Sequence, residues 1–143
     1  EMTKQKKEEA TGMEEFAMYA KIARNKAQNQ EIKVANWRNK SIAFAEAGAN
    51  LDLSKRMADQ LAGFFGDLLE DSLPAGDKDF IEGLEGMKHR CEIMAKTSTN
   101  GARQLGQAAL MAMDIGTDAH KMAQELSNKA DYYDERAKMG AQR

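Results

Sequence analysis

A single proline divides this chain into two stretches of similar length, and each carries the spacing of an α-helix. Pro74 lies within Ser72-Leu73-Pro74-Ala75-Gly76-Asp77, a run of turn-forming residues. Proline lacks the backbone donor that a helix needs and clashes with the preceding turn, so a helix approaching it must stop. Asp77 then offers a side-chain acceptor suited to capping a second helix. Residues 72–77 are therefore expected to form the bend of a helical hairpin.

The apolar spacing supports that expectation. Thr11 followed by Glu14 has the spacing of a capping box, which places the start of the first arm there. Beyond it a ladder climbs in alternating steps of four and three: Phe16, Ala20, Ala23, Ala27, Gln30, Val34, Trp37, Ser41, Phe44, Gly48, Leu51, Lys55, Ala58, Ala62, Phe65 and Leu69. After the bend a second ladder reads Phe80, Leu84, Met87, Cys91, Met94, Ser98, Gly101, Leu105, Ala108, Ala112, Ile115, Ala119, Met122, Leu126, Lys129 and Tyr133. Alternating three- and four-residue steps keep one seam of a helix turned toward a partner helix. Reflected through Pro74, the ladders meet without a slip: Phe16 faces Tyr133, Trp37 faces Ala112, Gly48 faces Gly101 and Phe65 faces Leu84. Off the seam, Arg24 falls opposite Glu125.

The expected fold is thus all-α, a long antiparallel hairpin with arms of about 60 residues each, 12–71 and 78–138, in a single domain over 1–143. Residues 1–10 are charged and unpatterned and are expected to be frayed or disordered. The competing arrangement breaks both arms at their weak points, near 48–50 and 97–101, and folds them into a compact single-chain four-helix bundle.

Two arms alone leave apolar residues uncovered. Met18, Ile22, Ile32 and Ile42 on the first arm and Met111 and Met113 on the second lie off the seam, and surplus apolar surface on a helix implies a covering partner. A homo-oligomer, with a dimer giving a four-helix assembly, is the simplest such partner; another helical protein is the other. Three polar residues, Gln30, Ser41 and Ser98, interrupt the seam, where polar side chains ordinarily fix register. Together with Trp37 and Arg38, Gln30 and Ser41 could instead line a small-molecule pocket between helices.

Little else carries chemistry. Glu85 and His89 share a helix face four residues apart, but a di-iron bundle needs Glu-x-x-His on two helices. His120 has no nucleophile or carboxylate set around it that forms a triad. One cysteine excludes an internal disulfide, and a net charge of −2 gives no reason to expect nucleic acid. No metal, cofactor or enzymatic activity is expected. Gly63 and Gly66 interrupt an amphipathic run without the Lys-Ser/Thr of a phosphate loop, and are expected to permit close helix approach.

The leading functional expectation is a non-catalytic helical interaction or assembly module. A sensory ligand-binding domain of a membrane-anchored receptor is the alternative, since a hairpin brings both termini to one end. A membrane-associated helical scaffold is the second alternative, and the lack of a basic excess counts against it. No apolar run spans a bilayer, so membrane contact would come only through segments outside this chain. The chain opens on Glu1 rather than Met, as expected of a processed protein or an excised domain. The cellular compartment is left open.

Overall fold

The computed structural model describes the backbone of residues 4–72 and 77–141, with side chains over 12–71 and 77–140. The described residues form two helices, α1 (Lys4–Ser72) and α2 (Lys78–Ala141), packed against each other as an all-α hairpin. The bend residues 73–76 lie outside the described residues. On the far side of the bend Asp77 is non-helical, and its carbonyl accepts the first helical hydrogen bond from Ile81 N–H at 3.0 Å, which makes Asp77 the N-cap.

The compact-bundle alternative is overturned, because both helices run uninterrupted through 48–50 and 97–101. Glycine in a helix costs about 1 kcal/mol relative to alanine, too little to stop a helix whose neighbours are packed. Gly48 is buried, and a Cβ there would stand 3.6 Å from both the Ala102 carbonyl oxygen and the Leu105 Cβ. At the second weak point Thr99 Oγ1 donates to the Ala95 carbonyl at 2.9 Å, so the hydroxyl is satisfied inside the helix. α1 begins at Lys4 and passes through Thr11, where the capping-box spacing places the start of the first arm. Lys, Gln, Glu and Ala are good helix formers, and extending an existing helix avoids the cost of nucleation.

Packing groups the chain into two compact units: residues 1–39 with 112–143, and residues 40–111. In the first, α1 presents Phe16, Ala20, Ala23, Ala27, Gln30, Val34 and Trp37, all at least half-buried as the ladder requires. Phe16 stacks on Tyr133 with ring centroids 6.2 Å apart, as the reflection expects. In the second, Ser41, Phe44, Gly48, Leu51, Lys55, Ala58, Ala62, Phe65 and Leu69 do the same. Lys55 accomplishes this with its aliphatic stem, the head remaining free to reach water.

On α2 only one of the ladder's two columns holds throughout. Leu84, Cys91, Ala112, Ala119 and Leu126 turn inward, but Phe80, Met87, Met94, Met122 and Lys129 are exposed. Their places are taken by the residues one position later, Ile81, Lys88, Ala95, Ala123 and Ala130. The physical reason is a column of small residues recurring every seven: Ala95, Ala102 and Ala109 in one unit, Gly116, Ala123, Ala130 and Ala137 in the other. Turning this column inward lets two backbones approach to the close end of the ~8–10 Å range of helix spacing, and each tightly packed atom pair adds dispersion attraction. The described core is accordingly built mostly from alanine, with Ala20, Ala112, Ala119, Ala123 and Ala130 each under 5% exposed.

The rotation also moves individual contacts. A Cβ on Gly116 would lie 3.8 Å from Trp37 Cβ, so Trp37 packs a turn further along α2 than Ala112 alone. Gly101 faces Leu51 rather than Gly48. Ser41 Oγ donates to the Ala109 carbonyl at 2.9 Å, a cross-helix bond from a seam hydroxyl. Gly63 faces open space and makes no close approach, while Gly66 looks onto the ammonium end of Lys88.

These observations fix two stability outcomes, both measurable by urea or thermal unfolding. Ala20→Leu should destabilise by about 1–3 kcal/mol through overpacking, whereas the exposed Ala17→Leu should stay within about 0.5 kcal/mol of wild type. A methyl group added at Gly106 would meet nothing within 4 Å, so Gly106→Ala should stabilise by about 0.5–1 kcal/mol through helix propensity.

Candidate functional site

An antiparallel helix pair has two flanks. With the inward columns assigned to heptad positions a and d, the e positions of both helices line one flank and the g positions line the other. The contacts agree with this assignment. Arg24 with Asp134, and Glu31 with His120, all occupy e positions, whereas Tyr19, Lys26 and Lys129 occupy g positions around a separate hollow.

The flanks of the unit 40–111 differ sharply in chemistry. Its e flank and the neighbouring b positions carry Asp52, Arg56, Asp59, Glu85, Glu92 and Lys96. Its g flank, from Ala47 to Leu68 on α1 and from Phe80 to Ala108 on α2, has no charged g residue. Instead Leu61 and Leu68 face outward beside Phe80, Met87 and Met94, and Met57 and Phe64 extend the surface at adjacent c positions. These seven side chains are 44–58% exposed. The sequence ladders assigned Phe80, Met87 and Met94 to the seam, which hid the fact that they line up with Leu61 and Leu68.

In the unit 1–39 with 112–143, the e flank carries the ion pairs. Arg24 Nη2 hydrogen-bonds Asp134 Oδ2 and lies 3.6 Å from Asp131 Oδ1, rather than pairing with Glu125 as expected from the reflection. The e positions of Arg24 and Asp134 are direct cross-helix neighbours, while Glu125 is a c position on the other flank. The Arg24 hydrogen bond holds the Asp134 carboxyl below the usual carboxylate range, opposed by partial desolvation and reinforced by the charges of Arg24 and Lys138. Further along, His120 Nδ1 sits 3.5 Å from Glu31 Oε1.

Gln30, Trp37 and Arg38 belong to the unit containing the termini, and Ser41 belongs to the other. Arg38 borders a surface cleft of about 280 Å³ whose other walls are Met113, Gly116, Thr117 and His120. Met18, Ile22, Ile32, Ile42, Met111 and Met113 are all exposed, but they occupy f, c, f, b, c and e positions and do not gather on one flank. Among the described residues no three His, Cys, Asp or Glu side chains form a metal-binding group, and no helix is long and apolar enough to cross a membrane.

The Arg24 pairing has a pH signature. Because the folded-state pKa of Asp134 is depressed, its contribution to stability is present above the unfolded carboxylate pKa and is lost as pH falls through the lower folded value. A carbon-detected NMR titration should place the Asp134 midpoint below that of an unpaired aspartate, and Arg24→Gln should return it toward the ordinary range. No protein-family model matches the chain, and no curated protein or solved structure matches it significantly.

Proposed function

We propose that the chain is a non-catalytic helical assembly module whose g flank, over the unit 40–111, packs against the same flank of a second copy. The observation that carries this reading is the charge-free row of Leu61, Leu68, Phe80, Met87 and Met94, widened by Met57 and Phe64. Seven large side chains, each about half exposed, hold roughly 700 Å² of apolar surface, close to the ~800 Å² per partner that a stable interface buries. Exposed apolar patches of that extent mark interaction sites on soluble chains.

A second copy fits this flank better than an unrelated charged partner does. A two-fold interface sets a surface against itself, so any charge on it would meet the same charge or need a matching opposite. A g column without charge between Ala47 and Leu68 and between Phe80 and Ala108 confines that conflict to its borders, where Lys40, Asp71 and Arg90 stand. Four helices then share one core: the small-residue seam within each hairpin and the large leucine, methionine and phenylalanine side chains between hairpins. Methionine suits the outer layer because its flexible thioether fills irregular gaps.

Sedimentation equilibrium tests the reading. The wild-type chain should be a dimer at micromolar concentration, with a melting temperature that rises with protein concentration. Leu61→Asp combined with Met87→Asp should give a helical monomer, and Ile42→Asp, on another flank, should leave the dimer intact. A wild-type monomer throughout the micromolar range would sink the reading.

A further inference from the structure

A second hollow lies on the g flank of the other unit, independent of the assembly surface. Along α1 the inward d positions are Phe16, Ala23, Gln30, Trp37, Phe44, Leu51, Ala58 and Phe65, and Ala23 is a small one among large aromatic neighbours on both helices. A surface hollow of about 150 Å³ lies against it. Ala23, Ile22 and Leu126 give it an apolar floor, and Tyr19 and Tyr133 wall it with ring centroids 5.6 Å apart, inclined at 53°. Lys26 and Lys129, one from each helix, stand at its rim.

From this arrangement we infer that the hollow binds a small aromatic carboxylate, its ring on the alanine–leucine floor against the tyrosine pair and its carboxylate between Lys26 and Lys129. A volume of about 150 Å³ is enough for one benzene-sized molecule, so the hollow has room for a single ring. The charge selects an anion. The Arg24 ion pairs with Asp131 and Asp134, and the contact of His120 with Glu31, occupy the opposite flank. Neither rim lysine is engaged in an ion pair among the described residues. A carboxylate held between two ammonium groups gains charge-assisted hydrogen bonds, and the partly apolar surroundings strengthen them. The tyrosine rings favour an aromatic over an aliphatic acid through tilted ring contacts.

Sodium benzoate is the probe, followed by amide chemical shifts of the full chain in an NMR titration, with acetate and benzyl alcohol as partial mimics. Benzoate should saturate, with the largest shifts at Tyr19, Ala23, Leu126 and Tyr133. Acetate and benzyl alcohol should each bind at least about tenfold more weakly, having lost the ring contacts or the charge-assisted bonds. Lys26→Gln with Lys129→Gln should weaken benzoate by a similar factor, while Lys21→Gln with Lys121→Gln, away from the hollow, should leave it unchanged. These are surface substitutions on intact helices, and far-UV circular dichroism confirms that the fold is kept. The inference is overturned if benzoate shifts fail to saturate, if acetate or benzyl alcohol matches benzoate, or if the two lysine pairs respond alike. A change in sedimentation alone has no bearing on it, so this site and the proposed dimer stand or fall separately.

Discussion

The close approach of two helix backbones along a column of small side chains is the constraint on which this structure depends. Ala95, Ala102 and Ala109 in one unit, and Gly116, Ala123 and Ala130 in the other, recur at the heptad interval and turn inward. A large residue in that column would separate the backbones and forfeit contacts along several turns, because dispersion falls away within a fraction of an ångström. Once the alanines take the interior, the large residues beside them have nowhere to go but outward. The exposed Met94 and Met122 sit beside the buried Ala95 and Ala123, and Phe80 and Met87, beside Ile81 and Lys88, continue the same helical phase.

That trade explains the character of the outer surface. A two-helix layer encloses little volume, and burying alanine removes less apolar area from water than burying leucine. Much of the chain's hydrophobic capacity therefore remains on one flank of the unit 40–111, opposite the flank that carries Asp52, Asp59, Glu85 and Glu92. In the unit holding the termini the same kind of flank has lysines in place of leucines, with a hollow of about 150 Å³ between them. One periodic design thus presents two chemistries, one in each unit.

Much of this was legible in the sequence. The lone Pro74 and the alternating three- and four-residue steps specify a hairpin, and every α1 ladder residue is at least half-buried. Phe16 on Tyr133 followed from the reflection alone. The α2 seam was legible only in part, because following the largest side chain in each turn favours Met87, Met94 and Met122 over the residues that follow them. A helix face chosen by close packing need not be its most hydrophobic face, and spacing alone does not distinguish adjacent heptad positions. The same slip concealed the apolar flank and misplaced Arg24, whose partners are set by position around the helix rather than by distance from the bend. The hollow at Ala23 had one visible signal, an inward alanine flanked by Tyr19 and Lys26 on the same helix face.

The way the chain is divided between the two units bears on how it assembles. Residues 40–111 form one uninterrupted segment around the bend, whereas the other unit joins 1–39 to 112–143 across everything between them. Loop-closure entropy rises with the length of chain that must be gathered. Bringing Phe16 to Tyr133 in an otherwise open polymer is therefore costlier than bringing Leu69 toward Leu84, and the cost falls once the intervening segment has zipped. The hairpin is cheapest to close from its bend outward, with the termini joined last.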